Sequence, residues 1–300
     1  MTEDEAREQF ETLLSALAVE RGDTVYFGID ISALPLPSYP SEITRESMRD
    51  RANKWCEFVL GTLLNYLGPQ GTLIVPTFAY DCAAPNIIFD LEETPSDVGP
   101  FTNFVRLHPK AVRSLHPIFS LAGIGKHAKD ILSNTGRSAF GPLSSFGRLA
   151  KYDAKFVCLG VPFSLSITYM HHLEQMHGCN HRYHKILESK VYSNGKEVPG
   201  PWLAYLNYRG VTPKADFSSI EKRLREEGVL FETNFRGAPY QCVTVANVDE
   251  FGMKMLDGNS CAFLERDVVV RLNESIPAQI PKAADLVEIT LIPSCVNNDL

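Results

Sequence analysis

The sequence lacks the features that would place it at a membrane or outside the cell. No apolar stretch approaches the roughly 18 residues that a membrane-spanning helix requires. The acidic start MTEDEAREQF does not have the basic and then apolar pattern of a secretory signal. We therefore expect a cytoplasmic protein with no membrane partner.

The sequence also has too little basic charge for a protein that binds duplex nucleic acid, and its cysteines are not spaced in pairs. It carries 29 Lys+Arg against 36 Asp+Glu, a net charge of −7, whereas binding to duplex nucleic acid needs clustered basic residues. Its 7 cysteines form no CxxC pair, which is typical of reduced thiols. We expect no nucleic-acid partner, and no cysteine nucleophile because nothing in the sequence pairs a cysteine with a base.

What is present is an ordinary globular composition with an alternating order of elements. The chain has 300 residues, 44% of them hydrophobic, which is enough for one large domain or two smaller ones. A β-rich run at 24–28, an amphipathic helix at 45–67, and buried strands at 72–76 and 155–159 follow one another. This order is typical of an α/β sheet. No glycine-rich phosphate loop of standard spacing is present.

The later part of the chain has a different pattern of predicted secondary structure. A helix is predicted from about Leu165 to His177, short β-rich runs follow residue 183, and the proline-rich end after Ile276 is predicted to be a surface tail. The expected fold is α/β, a mixed β-sheet flanked by helices, with a smaller β-rich C-terminal portion. We place the division at 1–185 and 186–300, within one continuous unit.

The densest group of reactive side chains is the segment T-x-x-H-x-x-E, which contains Thr168, His171 and Glu174. Residues three apart on a helix lie on neighbouring rows of one face. A carboxylate one turn from an imidazole can accept its N–H, fix its tautomer and raise its basicity. A hydroxyl one turn before adds a donor. The three groups favour removal of a proton from a nucleophile and stabilisation of a leaving group.

The same segment has two other interpretations. A His/Glu pair on a helix is often a surface or core hydrogen bond with no chemical role. Five of the eight histidines also fall within 171–184, and imidazoles and carboxylates are common metal ligands. The spacing is not HExxH and offers no CxxC partner, so no metal is expected. A metal-dependent hydrolase remains an alternative.

Two further segments have patterns that suit a site. In RSLHPIFS (113–120), His116 precedes a proline, which holds it extended and lets a loop aim its ring; the alternative is a structural histidine in a turn. In GPLSSFGRL (141–149), a turn runs into a helix whose free N–H groups can bind an anion or a carbonyl. The alternative there is an ordinary capped helix start.

These segments, with GDTVYFGIDIS (22–32), GPQGTLIVPTFAYD (68–81) and LGV…TYMHHLE (159–174), resemble the aminoglycoside 3-N-acetyltransferase family over about residues 15–185. The resemblance implies an α/β core that binds acetyl-CoA or another short acyl-CoA as cosubstrate, with an amino-sugar acceptor in a cleft completed by the C-terminal portion. It implies that His171 is the general base, that Glu174 orients it and that Thr168 lies near the acyl-CoA sulfur.

Further roles follow from the resemblance. The turn at 141–149 implies contacts to the cofactor from Ser144 and Ser145. Its phosphates need cations, for which the candidates are Arg113, Arg148 and Lys185. The residues expected to line the acceptor side are His116, Tyr80, Asp81 and Asp30.

The chain departs from the antibiotic-modifying members at several places. Gly28-Ile29-Asp30 stands where they usually read His-x-Ser, and Leu143-Ser144-Ser145 replaces a Gly-Ser-Pro turn. The sequence Asp-Ile-Ser at 30–32 is closer to that of family members associated with polysaccharide biosynthesis. We therefore expect N-acylation of a nucleotide-linked deoxyamino sugar for lipopolysaccharide or another surface polysaccharide. Aminoglycoside acetylation conferring antibiotic resistance is the alternative, and a homodimer is a possible assembly.

Overall fold

A computed structural model describes residues 1–39, 45–208, 210–272 and 286–292. The helix predicted at 45–67 is present with those bounds, and the first helix begins with a capping box between Thr2 and Glu5. Among the residues described, no helix is long and apolar enough to cross a membrane. The α-helices are α1 (Glu3–Ala16), α2 (Arg45–Leu67), α3 (Pro100–Arg106), α4 (Ala128–Leu132), α5 (Ser145–Leu149), α6 (Phe163–Ser166), α7 (Met170–His177), α8 (Ser218–Glu226) and α9 (Val245–Gly258).

The strands form one central sheet and three small ones. The strands are β1 (Thr24–Ile29), β2 (Thr72–Pro76), β3 (Ile88–Asp90), β4 (Val112–Arg113), β5 (Leu121–Gly125), β6 (Lys155–Leu159), β7 (Arg182–Leu187), β8 (Lys190–Ser193), β9 (Lys196–Glu197), β10 (Trp202–Asn207), β11 (Phe231–Phe235), β12 (Ala238–Thr244), β13 (Asp267–Leu272) and β14 (Leu286–Ile292).

The central sheet is mixed, as predicted. Its order is β11-β12-β6-β1-β2-β5-β4, in which β6, β1 and β2 run parallel and the outer pairs run antiparallel. The small sheets pair β10 with β7, β13 with β14, and β3 with β8 and β9. The α/β class with a mixed sheet and flanking helices is therefore confirmed.

The two faces of the central sheet bury different side chains because successive residues of a strand point to opposite sides. Val25 and Phe27 of β1 pack in the core that also contains residues of α1, α2 and α3. Tyr26 of the same strand packs in the other core, with residues of α4, α5, α7, α8 and α9. Helices thus cover both faces, which is the usual arrangement around parallel strands.

The single helix predicted from Leu165 to His177 is wrong, because α6 and α7 are separate. Ile167, which follows α6, has φ −96° and ψ 87°, outside the helical region. The Ser166 hydroxyl donates to the carbonyl of Pro162 at 3.2 Å, a back-bond that often accompanies bent helices. Thr168 therefore precedes α7 instead of lying on it.

Two expectations for the second half of the chain also change. The predicted surface tail after Ile276 contains β14, which pairs antiparallel with β13; the rest of that tail lies outside the described residues. The central sheet also crosses the expected division at residue 185, because β11 and β12 join it beside β6. The two portions share one sheet, and their assignment as separate functional units stays a prediction.

Candidate functional site

The segments singled out in the sequence meet at one edge of the central sheet. The parallel strands β1, β2 and β6 all end there, and such an edge is where α/β proteins usually place ligands. From it the chain continues into Asp30 after β1, into residues 77–81 after β2, and into the loop that leads to Thr168 after β6.

His171 and Glu174 form the pair that their spacing predicts. Nδ1 of His171 lies 2.7 Å from Oε2 of Glu174. The His171 side chain is 20% exposed, whereas that of Glu174 is fully buried. The His171 ring packs edge-on against Phe140 and Phe217, each with its centroid 5.5 Å away. With Nδ1 bound to the carboxylate, Nε2 is the ring nitrogen left for chemistry.

Glu174 holds two further groups that the sequence did not assign to it. His181 Nε2 lies 3.1 Å from Oε1, and Arg182 Nε lies 2.8 Å from Oε2 as an ion pair. Both residues are buried. They reach Glu174 because Gly178 ends α7 in the left-handed conformation, with φ 80°, and turns the chain into β7. The density of histidines at 171–184 was the only sequence signal for this contact.

The neighbours of Glu174 set its charge and that of His171. Burial alone would raise the pKa of Glu174, but the hydrogen bonds from His171 and His181 and the charge of Arg182 hold it below its ordinary value. Burial and the charge of Arg182 lower the pKa of His171, although the contact with Glu174 acts in the opposite direction. The pair therefore combines an ionised carboxylate with an uncharged imidazole at neutral pH, the state that a general base needs.

Two cysteines lie beside a base, contrary to the sequence analysis: Cys179, whose sulfur is 3.6 Å from Nδ1 of His177, and Cys261, which neighbours His181. Burial would raise the pKa of the Cys261 thiol, but the neighbouring His181 lowers it. Burial also acts to lower the pKa of His181, and its contacts with Cys261 and Glu174 raise it overall. Cys261 is itself buried, and its thiol donates to the carbonyl of Val268 at 3.3 Å. Cys261 contacts His181, which in turn contacts Glu174, so Cys261 helps to hold the Glu174 carboxylate in place.

Thr168 lies half-buried in the turn before α7. The main-chain N–H of His171 donates to its carbonyl at 3.1 Å, so the Thr168 side chain stands one tight turn from the His171 ring. Tyr26 of β1, which the sequence did not single out, is buried, and its hydroxyl has no hydrogen-bond partner among the described residues.

The serines of the predicted turn have different environments. Ser144 caps α5: its hydroxyl accepts from the Gly147 N–H at 3.1 Å and donates to the Gly141 carbonyl at 2.6 Å. That is the capped helix start that the sequence left as an alternative. Ser145, also buried, follows as the first residue of α5.

The two arginines expected at the cofactor phosphates are engaged within the protein instead. Arg113 is buried and donates hydrogen bonds to the Ser120 hydroxyl and to the carbonyls of Thr77, Leu91 and Thr94. Arg148 donates to carbonyls at the end of α4 and just beyond it, those of Asp130, Ser133 and Asn134. Both guanidinium groups therefore hold loops of the protein together. These hydrogen bonds occupy N–H donors that a phosphate would need.

His116 has the structural role that was its alternative. It is buried, its Nε2 lies 3.2 Å from the Leu203 carbonyl, and its Nδ1 accepts from the N–H groups of Ile118 and Phe119. Burial lowers its pKa to about 4. With both ring nitrogens engaged, His116 has no free group to offer an acceptor.

Two predicted acceptor residues, Tyr80 and Asp81, line a cavity of about 790 Å³, which lies between the loop after β2 and the β7–β10 ribbon. Lys185 lies in its wall, together with Lys214, Tyr183 and Tyr208. Asp30 is apart from this group: its carboxylate accepts from the N–H and hydroxyl of Ser32.

The histidine-rich segment does not assemble a metal site within the ranges that the structure describes. No group of three or more His, Cys, Asp or Glu side chains there is arranged to hold a metal ion. Instead, the two oxygens of Glu174 contact two imidazoles and a guanidinium. A metal-dependent hydrolase has no geometric support in this part of the chain.

Comparisons with known proteins identify the family of this chain. The profile of the family described as aminoglycoside 3-N-acetyltransferase matches residues 49–257. Aminoglycoside N(3)-acetyltransferase VIII of Streptomyces fradiae is 25% identical over 263 residues, which cover 81% of this chain and 89% of that protein. Aminoglycoside N(3)-acetyltransferase IX of Micromonospora chalcea is 23% identical over 229 residues, covering 70% and 74% of the two chains.

Solved structures show the same fold. Aminoglycoside acetyltransferase AAC(3)-Xa superposes with a TM-score of 0.68 at 23% identity, over 84% of this chain and 92% of that one. AAC-IIIb in its binary complex with CoASH also has a TM-score of 0.68, at 19% identity over 87% and 98% of the chains. The family profile spans well over half of the sequence. The chain therefore belongs to the aminoglycoside 3-N-acetyltransferase family and, with it, to the CoA-dependent N-acyltransferases.

Proposed function

We propose that this protein transfers an acetyl or other short acyl group from acyl-CoA to an amine of an aminoglycoside-type amino sugar, with His171 as the general base. The observation that carries the proposal is the contact of His171 Nδ1 with the buried Glu174 carboxylate at 2.7 Å. The acceptor class is the one in the names of the relatives, aminoglycoside N(3)-acetyltransferases.

The chemistry of the acceptor explains why a base is needed. An amino sugar is largely ammonium at neutral pH and becomes a nucleophile only after losing a proton. Nε2 of His171 takes that proton, directly or through one water, while Nδ1–H donates to Glu174. The second proton, which the nitrogen loses as the amide forms, goes to the departing thiolate. Because its neighbours hold the pKa of Glu174 low, the carboxylate stays charged and stabilises the imidazolium that forms.

The cofactor side of the reaction uses groups at the same edge of the sheet. Bound acyl-CoA supplies the thioester, whose C–S bond breaks as the C–N bond to the amine forms. Ser144, Ser145 and the main chain of their turn are the proposed contacts to it, with Ser145 the freer hydroxyl because Ser144 caps α5. In this proposal Thr168 donates a hydrogen bond to the departing sulfur. The Tyr26 ring lies 6.3 Å from that of Phe146 in this turn, and its hydroxyl has no hydrogen-bond partner among the described residues, which supports a ligand here.

The test is release of free CoA thiol from acetyl-CoA with an aminoglycoside acceptor. His171→Gln should lower kcat by at least about a hundredfold, since general base catalysis commonly contributes that much, while CoA affinity stays nearly unchanged. The matched control is His108→Gln, at a half-buried histidine outside the site. Full activity of His171→Gln, or an equal loss in the control variant, would refute the proposed mechanism.

The 790 Å³ cavity favours a second candidate acceptor, a nucleotide-linked amino sugar. Among the described residues that line it, the cations are Lys185 and Lys214 and the one carboxylate is Asp81. The rings of Tyr183 and Tyr208 face each other with centroids 4.9 Å apart. Ammonium groups bind phosphates, and aromatic rings stack on a nucleobase or a sugar. A polycationic antibiotic gains little binding energy from a cavity wall that carries two lysines.

The double variant Lys185→Glu/Lys214→Glu separates the two acceptors. If the acceptor carries phosphates, its KM should rise by about tenfold or more, because attraction becomes repulsion. If it is an aminoglycoside, its KM should fall. Lys129→Glu/Lys151→Glu, at two exposed lysines outside this cavity, changes the net charge equally and controls for long-range effects. The cytoplasmic location and the homodimer stay predictions.

A further inference from the structure

Residues 77–97, which follow β2 and which we call the cavity loop, form one wall of the 790 Å³ cavity. Tyr80, Asp81 and the residues up to Pro85 line it. Apart from the short strand β3 and one short turn of helix at Tyr80–Ala83, the loop is irregular. Irregular backbone has no ladder of hydrogen bonds, so its shape depends on the other groups that bind it. The shape of this cavity wall therefore depends on what holds the cavity loop.

Arg113 binds the cavity loop at two separate places. Its Nη2 donates to the Thr77 carbonyl at 3.0 Å, and its Nη1 donates to the carbonyls of Leu91 and Thr94 at 3.1 and 2.6 Å. Its Nε donates to the Ser120 hydroxyl at 3.1 Å, and that hydroxyl donates to the same Thr77 carbonyl at 2.7 Å. One guanidinium thus joins two parts of the loop that lie on either side of the cavity-lining residues.

The position of Arg113 is unfavourable for a cation unless these contacts are made. The residue is 9% exposed, and burial lowers its pKa to about 9. Its hydrogen-bond partners in the described ranges are uncharged, and its Cζ lies 4.8 Å from the ring centroid of Phe89, also in the cavity loop. A buried charge must be hydrogen-bonded, and arginine alone offers a planar fork of five donors. The residue type therefore matches the task of binding several carbonyls from one point.

Asp97 connects these contacts to the cavity wall. Its N–H donates to the Phe78 carbonyl at 2.8 Å, and its carboxylate accepts from the Tyr80 N–H at 2.7 Å. The end of the loop thus binds the main chain at its beginning, close to the parts that Arg113 holds together. The placement of Tyr80 depends on this closure of the loop.

We propose that Arg113 is a positioning residue for the acceptor, which fixes both ends of the cavity loop and so places Tyr80 and Asp81 for binding of the amine. The inference rests on the proposed function, since it takes the 790 Å³ cavity as the place where the amino sugar binds. It replaces the contact with the cofactor phosphates that the sequence suggested. The two roles differ in their kinetics, because fixing the loop affects the KM of the amine and a phosphate contact affects that of acyl-CoA.

The main test is Arg113→Gln, assayed by thiol release. We expect the KM of the amino-sugar acceptor to rise about tenfold, because binding must then order the loop. The KM of acetyl-CoA and kcat should stay within about twofold of the wild type, as for a loss of uniform binding. Arg113→Lys, which keeps the charge but not the fork, should lie between the two. A raised KM for acetyl-CoA with an unchanged KM for the amine would overturn the proposal.

Ser120→Ala is a milder variant that tests the same contacts should Arg113→Gln fail to fold. It removes the hydroxyl that links Nε of Arg113 to the Thr77 carbonyl, so the KM of the amine should rise about threefold. Lys155→Gln is the matched control. Lys155 Nζ donates to the Ala18 carbonyl at 2.8 Å at the start of β6, the opposite edge of the sheet. This control should melt earlier with both KM values unchanged, and an equal rise in its amine KM would overturn the proposal.

Hydrogen exchange tests the cavity loop without any turnover. The N–H groups of Ala79 and Asp97 donate to carbonyls at 2.9 and 2.8 Å, so we expect them to be protected in the wild type. Exchange of peptides covering 77–97 should become about tenfold faster in Arg113→Gln and stay unchanged in Lys155→Gln. Unchanged exchange in Arg113→Gln, or faster exchange with an unchanged amine KM, overturns the role of Arg113. Faster exchange in a protein whose wild type acylates no amine would overturn the proposed function and leave the fixing of the loop standing.

Discussion

At the scale of single residues, Glu174 determines the character of the site. One buried carboxylate contacts His171, His181 and Arg182, so removing its charge leaves buried cationic partners uncompensated. Removing His171 instead deletes a partly exposed ring with one polar contact to this carboxylate. The two members of the pair should therefore differ in their effect on stability even where their effect on turnover is alike.

We expect Glu174→Gln to lower the free energy of unfolding by about 3–5 kcal/mol, the usual cost of breaking a buried ion pair. His171→Gln should cost clearly less. Both variants should lower kcat by about a hundredfold or more. Urea denaturation followed by circular dichroism measures the first effect and thiol release the second. Equal unfolding midpoints for the two variants would contradict the larger contribution to stability that we expect of Glu174.

The pKa of His171 is a second expectation at this scale. Because burial and Arg182 both disfavour the imidazolium, we expect His171 to titrate below its ordinary value of 6.5. An unfolded chain then takes up the proton first, so this contribution to stability is complete above pH 6.5 and is lost as the pH falls below it. NMR titration of histidine-labelled protein measures the pKa, with His171→Gln assigning the signal. A value above 6.5 would contradict the expectation.

At the scale of elements, the contact between β1 and α6 explains a departure from the family pattern. Gly28 stands where antibiotic-modifying members were expected to carry histidine. A Cβ at this position would lie 2.9 Å from Cβ and 3.0 Å from Oγ of Ser166. Ser166 is fixed in turn by its contacts with Pro162 and Cys158. Glycine is required here because α6 lies directly on the strand.

Gly28→Ala should therefore destabilise the protein by about 1–3 kcal/mol, as overpacking of a core does. Adding Ser166→Gly should restore part of the loss, since it removes the atoms that clash. Thermal unfolding of the two variants checks both statements. Gly61→Ala in α2, where an added Cβ meets nothing within 4 Å, is the control and should not destabilise. A Gly28→Ala protein as stable as the wild type would contradict the close contact.

At the scale of the whole molecule, the central sheet joins the two halves of the chain. β12 pairs with β6 over five residues, from Tyr240↔Leu159 to Thr244↔Lys155, and β11 continues the sheet beyond it. A fragment that ends at residue 185 would lose both strands and α9, and would expose the edge of β6 to pairing with other chains.

We therefore expect the fragment 1–185, expressed alone, to show no cooperative thermal transition and to aggregate. The comparison is a chain of residues 1–272, which retains every strand of the central sheet and should unfold cooperatively. Calorimetry on both proteins provides the measurement. A cooperative transition in the fragment 1–185 would support an independent N-terminal domain instead.

Local patterns allowed much of the framework to be predicted. The helix at 45–67 and the strands at 72–76 and 155–159 have the predicted bounds, because periodicity and flanking turns act over a few residues. The contact of His171 with Glu174 is of the same kind, since three positions on a helix fix it. The break before Thr168 was missed, because Ser166 and Ile167 carry no proline or glycine signal.

The sequence by itself determined the α/β class, the family and the pairing of His171 with Glu174, all of which rest on neighbours along the chain. Only the tertiary structure decided what distant residues do. Arg113 and His116 hydrogen-bond within the protein, and Arg182 lies against Glu174. Such contacts join residues far apart in sequence, so no local spacing encodes them. The net charge of −7 illustrates the difference, because it is a sum over the chain, whereas the 790 Å³ cavity is lined by the local charges of Lys185, Lys214 and Asp81.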